Sequence, residues 1–162
     1  MNIKEQIAEY SNIKGKPLTK ERVLDMASQL LLQKLERGIA LTSPDLTKEY
    51  LQTLLKDKTR ELFHVLFLDT RHRVISSQTM FKGSIDGAAV YPRVIAAEAL
   101  KCNAAAVIVA HNHPSGIAEP SAADQAITRK LKEALLLLEI RLLDHFVIGD
   151  SESISMAARG ML

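Results

Sequence analysis

His111, His113, Ser121 and Asp124 all fall within one short stretch, "AHNHPSGIAEPSAAD", residues 110–124. Imidazole nitrogens and a carboxylate oxygen are the donors that zinc takes at ~2.0–2.2 Å. The preceding run, "AAAVIVAHNH", is apolar until its polar end, the pattern of a short buried strand. Side chains alternate along a strand, so His111 and His113 project to the same side, one pleat apart. Pro114 and Gly116 stop the strand and turn the chain, and Pro120 and Ser121 restart it as a helix with Asp124 in the first turn. A loop of this kind can return the aspartate over the two histidines as a third ligand. Three protein ligands leave the fourth tetrahedral position to water, the layout of a catalytic rather than a closed structural zinc site.

A plainer reading stands beside this one. A His-x-His pair alone is a weak signal. Ser121 and Asp124 also fit a capping box, in which the serine bonds the N3 amide and the acid at N3 answers it. The whole pattern, H-x-H-x7-S-x2-D at a strand–turn–helix junction, is what points to metal. Competing motifs fail: there is no H-E-x-x-H helix, and the deaminase pattern of H-x-E with paired cysteines is absent. The letters "HNH" do not make an HNH nuclease, no glycine-rich phosphate loop is present, and "GSIDG" is a turn signal.

The elements that must position these residues follow from periodicity. "LTKERVLDMASQLLLQKLERG" reads as a helix capped by Thr19 and stopped by Gly38, with Leu24, Ala27, Leu31 and Leu35 on one face that must dock on something. Ser43 as cap, Pro44 at the first helical position and Asp45 in the first turn open a second helix. "ELFHVLFLD" and "RVISSQTMFKG", joined by "DTRHR", predict an antiparallel hairpin. "YPRVIAAEALKCN" reads as a helix with proline in its first turn. "PSAADQAITRKLKEALLLLEI" is the best helix in the chain, with a stripe of Ile127, Leu131, Ala134, Leu135 and Leu138. "RLLDHFVIGD" is a further strand, "SES" a turn, and "SISMAARGML" a last strand leading into a short helical end. Strands separated by helices make an α/β layer domain with a mixed sheet. The first forty residues form an appended helical segment.

With 162 residues, the chain can bury roughly 70% of its unfolded surface. Its 47% hydrophobic and 25% charged residues are ordinary for a globular protein, and a net charge of +2 gives no argument for nucleic acid or an anionic membrane. One cysteine, Cys102, excludes an intrachain disulfide and a multi-thiolate zinc site; it reads as a small buried side chain near a helix end. The start, "MNIKEQIAEY", lacks the apolar stretch of a signal peptide, and the apolar run "AAAVIVA" is too short to span a bilayer. A cytoplasmic, reducing location is the expectation, with no membrane partner.

These motifs together resemble the JAMM (JAB or MPN-plus) metalloproteases, and "AHNHPSG" with "LLDHFVIGD" is similar to their bacterial RadC-like branch. The resemblance runs from about Leu41 to Leu162 and includes "LTSPD", "LFLDTRHRVI", "DGAAVYPR" and "ARGML". It implies an α/β fold of JAB/MPN type (cytidine-deaminase-like), a mixed β-sheet flanked by helices. That gives residues 1–40 as an N-terminal helical extension and 41–162 as the metalloprotease domain. It implies Zn2+ held by His111, His113 and Asp124, with Ser121 bonded to the developing tetrahedral intermediate. JAMM enzymes place a glutamate upstream at the start of the first strand; Glu61 in "RELFHVLFLD" matches it. By itself Glu61 reads as an exposed charge at a strand start; with the resemblance it is the general base. Asp144 and His145 are either groups that orient the ligands or ordinary polar residues at a strand start. His64 and His72 read as structural or exposed.

The activity so implied is zinc-dependent hydrolysis of an amide or isopeptide bond in a protein or peptide substrate, with a zinc-activated water, Glu61 as proton carrier and Ser121 sharing the oxyanion charge. The alternative is a DNA-associated repair or recombination adaptor with a structural or vestigial metal. RadC-like proteins carry an association with DNA repair, but the balanced charge argues against strong DNA binding, and the helix-hairpin-helix region of longer family members is not evident.

Overall fold

The computed structural model describes residues 19–36, 44–56, 58–83 and 89–162. Five strands form one sheet in the order β2-β1-β3-β4-β5, where β1 is Leu62–Leu68, β2 Val74–Lys82, β3 Ala106–Asn112, β4 Arg141–Ile148 and β5 Ser153–Ser155. The sheet is mixed: β3 and β4 run parallel, and the β1–β2, β1–β3 and β4–β5 pairs are antiparallel. The hairpin expected over the Phe- and Val-rich runs is β1–β2, its turn held by the Asp69 carboxylate, which accepts from the Arg71 and Arg73 amides.

Helices cover both faces. On one side, α2 (Pro44–Leu55) seals Tyr50, Leu51 and Leu55 against Leu66, Leu68, Ala106, Ile108, Ala110, Phe146 and Ile148, and α1 (Lys20–Glu36) adds Leu31 and Leu32. Of the apolar face read in α1, Leu31 packs against this core. On the other side, α3 (Pro92–Lys101) and α4 (Ala122–Leu136) bury Ile95, Ala99, Leu131 and Leu135 against Phe63, Val65, Phe67, Val107, Val109 and Leu142. Strand alternation sorts the two cores: odd residues of β1 and β3 face α3 and α4, and even ones face α2. Thr19 accepts from the Arg22 amide at 3.4 Å as expected of a cap. Gly38, Ser43, the side chain of Leu35, the junction at residue 40 and most of "GSIDG" lie outside the described residues.

Two expectations fail at element ends. The stripe of α4 stops at Leu135: the helix ends at Leu136, Glu139 takes φ +58, and Leu138 is exposed. Ile140 is the buried residue there, because a left-handed turn redirects the chain into β4. The segment after β5 is a run of turns over Met156–Gly160 rather than a helix, while β5 begins at Ser153 as the last strand was expected to. The Asp144 carboxylate shapes that segment by accepting from the Ala157 amide and the Ser155 hydroxyl. Among the described residues, no helix is long and apolar enough to cross a membrane.

Candidate metal centre

β3 ends where its chemistry begins. His111 is its second-last residue, on the α4 side and buried; His113 follows the strand, its amide still bonded to the Ile148 carbonyl at 2.9 Å. The loop then turns at Gly116, which takes φ +82, and Ser121 caps α4. The capping box is complete: the Asp124 amide donates to Ser121 Oγ at 3.1 Å, and the Ser121 amide donates to Asp124 Oδ2 at 2.7 Å. That box fixes Asp124 in the first turn, pointing back over β3.

The three expected ligands meet. His111 Nε2 lies 3.0 Å from His113 Nε2 and 3.1 Å from Asp124 Oδ1, and His113 Nε2 lies 3.4 Å from Asp124 Oδ2. Among the described residues this is the one group of His, Cys, Asp and Glu side chains close enough to hold a metal ion. His113 Nδ1 donates to the Ile117 carbonyl at 2.7 Å, which leaves the Nε2 lone pair of the neutral ring facing the cluster. Two imidazoles and one carboxylate converging are a donor set that could hold a metal ion.

The electrostatics favour positive charge at this point. Burial alone would raise the Asp124 pKa, but hydrogen bonds to His111, His113 and Ser121 outweigh it and hold the carboxyl well below its usual range. Asp124 raises the His113 pKa against the opposing effect of burial, helped by the Ile117 carbonyl and the Glu61 charge. A proton or a metal ion satisfies the same field.

Glu61 stands just before β1 and outside the ligand cluster. The β1–β3 pairing ends with Phe63 opposite His111, and Glu61, two residues before Phe63, lies near enough to His113 for its charge to raise that ring's pKa. Ser121 Oγ donates to Asp124 Oδ2 at 2.6 Å, so its hydroxyl hydrogen is committed to the ligand carboxylate here. Asp144 and His145 lie in the middle of β4 rather than at its start; His145 reaches the site and Asp144 does not. Cys102 caps the end of α3, half-buried, with burial pushing its thiol pKa up. His64 is buried away from the site, between Ser77 and Thr79. His72 contacts Arg141 at the far end of β1.

Sequence reasoning missed two polar residues, Asn112 and Thr128. Asn112, between the ligand histidines, turns to the opposite face: its Oδ1 accepts from the Leu62 amide at 2.8 Å, and its Nδ2 donates to the Arg60 carbonyl at 3.0 Å. It thereby grips the backbone on both sides of Glu61. Thr128 lies one helical turn after Asp124, buried against His145; the i, i+4 spacing from a ligand is the clue that points to it. A cleft of about 230 Å³ opens beside His113, bounded by Lys56, Lys58, Thr59, Pro114 and Asp150.

A sheet of this order, with His-x-His at the end of one strand and an aspartate in the first turn of the next helix, defines a JAB-type domain. Residues 41–161 match the family model described as the RadC-like JAB domain, and the chain belongs to that family. It is 56% identical over 142 residues to a UPF0758 protein of Vibrio parahaemolyticus, which covers 88% of this chain and 63% of the relative. It is 52% identical over 160 residues to a UPF0758 protein of Vibrio cholerae, covering 98% of this chain and 71% of the relative. A UPF0758 protein of Aliivibrio salmonicida is 52% identical over 142 residues, again 88% of this chain and 63% of the relative. The chain thus spans under two thirds of the length of the Vibrio parahaemolyticus relative.

Proposed function

We propose that this domain is a zinc-dependent hydrolase of the JAMM type that cleaves an amide or isopeptide bond in a protein or peptide. One observation carries the reading: His111 Nε2, His113 Nε2 and the Asp124 carboxylate converge within 3.4 Å of one another. A zinc ion held by these three groups supplies Lewis acidity and a water of lowered pKa. Glu61, whose charge reaches His113, would take a proton from the attacking water and pass it to the leaving amine. Ser121 turns its hydroxyl from Asp124 to the oxyanion, a donor worth about 3–4 kcal/mol when well placed.

The test separates metal binding from chemistry. Glu61→Gln keeps one zinc per chain and loses hydrolysis of a peptide or isopeptide substrate by about 100-fold or more. His113→Ala loses the metal itself. Undiminished turnover in purified Glu61→Gln would refute the assigned base, and a wild-type protein that takes up no zinc would refute the hydrolase.

A further inference from the structure

We propose that His145 and Thr128 are positioning residues that lock His111 into the one tautomer able to ligate a cation, through a chain of hydrogen bonds that starts at the Asp124 backbone. The proposal rests on reading His111, His113 and Asp124 as the cation site, and it names the part of the chain that prepares one of those ligands.

Donor counting fixes the direction of every bond. The Thr128 hydroxyl lies 2.5 Å from the Asp124 carbonyl oxygen and 2.6 Å from His145 Nδ1. A carbonyl only accepts, so the single hydroxyl hydrogen goes to Asp124, and the 3.7 Å contact with Met156 Sδ is a distant second. Thr128 Oγ must then accept from His145, which places a hydrogen on His145 Nδ1. His145 is fully buried and its ring bonds only Thr128 and His111, with no anion in contact to offset the cost of a charged ring, so it is neutral and its Nε2 carries a lone pair. His145 Nε2 lies 2.8 Å from His111 Nδ1 and can only accept there. His111 therefore bears its hydrogen on Nδ1 and turns a bare Nε2 towards Asp124 and His113. His113 reaches the same state by a shorter route, through the Ile117 carbonyl.

The sheet is built to present His145 to His111. Val107 pairs with Leu142, but the next residue, Ile108, pairs with Asp144, so β4 carries one extra residue opposite that step. This bulge shifts the alternation of β4. Without it, Asp144 would stand level with Val109 and face α4 beside His111. With it, His145 takes that place, and the Asp144 carboxylate bonds the Ser155 hydroxyl and Ala157 amide instead. A neutral imidazole can accept from His111 and pass the constraint on to Thr128.

Long-range proton–nitrogen correlation spectra of the metal-free 162-residue chain read the tautomers directly. We expect Nδ1–H on both His111 and His145 in the wild type. Thr128→Val removes the acceptor from His145 Nδ1, so both rings shift towards Nε2–H, and zinc affinity, measured by competition with a chelating dye, falls about 10–100-fold. Thr128→Ser restores the hydroxyl, the wild-type tautomers and, within about threefold, the affinity. Nε2–H on wild-type His111 would overturn the proposal. So would a Thr128→Val protein that binds zinc as tightly as the wild type, or one that binds weakly with unchanged tautomers. A wild type that takes up no zinc would sink the cation-site reading, while the metal-free spectra would still decide the bond chain.

Discussion

Asn112 shows how a single side chain can serve a site it does not face. His111 and His113 point to the α4 side of the sheet, and Asn112 between them points to the α2 side, where it bonds the Leu62 amide and the Arg60 carbonyl. Replacing it with leucine leaves both backbone groups without that partner, a cost of about 1–3 kcal/mol. The backbone around Glu61 loses its anchor to β3. We expect Asn112→Leu to bind zinc normally but to lose turnover on the order of 100-fold, since a misplacement of ~1 Å is enough for that. Metal content and hydrolysis rate measured on the same preparation check this; a parallel loss of both would mean that Asn112 supports the ligands rather than Glu61.

At the scale of elements, the ligand loop is held by the turn between β4 and β5. The Asp150 amide donates to the Gly116 carbonyl at 3.0 Å, alongside the bond from the His113 amide to Ile148. The approach is so close that a Cβ at Gly149 would lie 2.4 Å from the Gly116 carbonyl oxygen and 2.9 Å from the Ala118 amide nitrogen, both backbone atoms. Only a glycine at position 149 lets the two turns meet. Gly149→Ala must push the loop carrying His113 away from β4, and we expect about 1–3 kcal/mol of destabilisation together with weaker zinc binding. Urea unfolding and a zinc titration measure the two effects; a variant with both unchanged would show that the loop holds its place without this contact.

For the molecule as a whole, the face of the sheet opposite the site contains a buried histidine that couples stability to pH. His64 bonds Ser77 through Nε2 at 2.7 Å and Thr79 through Nδ1 at 3.0 Å, and Tyr50 reaches the same Ser77 hydroxyl at 2.6 Å. Burial lowers its pKa to about 4. In the unfolded chain it titrates near ~6.5, so between these values the unfolded state binds a proton that the folded state refuses. Stability is therefore complete above pH ~6.5 and falls as pH drops towards 4, by up to about 3 kcal/mol from this group. In metal-free protein the urea midpoint should decline over that range, and His64→Gln should flatten the decline. An equally steep profile in the variant would assign the effect to other groups.

The same three scales separate what the chain alone determined from what required its folded form. Local chemistry was legible: proline at the start of α3, the Ser121–Asp124 box, the alternation that puts His111 and His113 on one side, and the hairpin of β1 and β2 all follow from neighbouring residues. The end of α4 and the turns after β5 were not, since both depend on where β4 enters the sheet rather than on helix propensity. The roles of Asn112 and Thr128 and the choice of His145 over Asp144 arise between segments 17 to 52 residues apart. An extra residue in β4 reverses which side chains face α4, and no local pattern in "RLLDHFVIGD" marks where that slip occurs. Residue types and spacing determined which groups could bind a cation; strand register, set by packing across the whole sheet, decided which neighbours stand behind them.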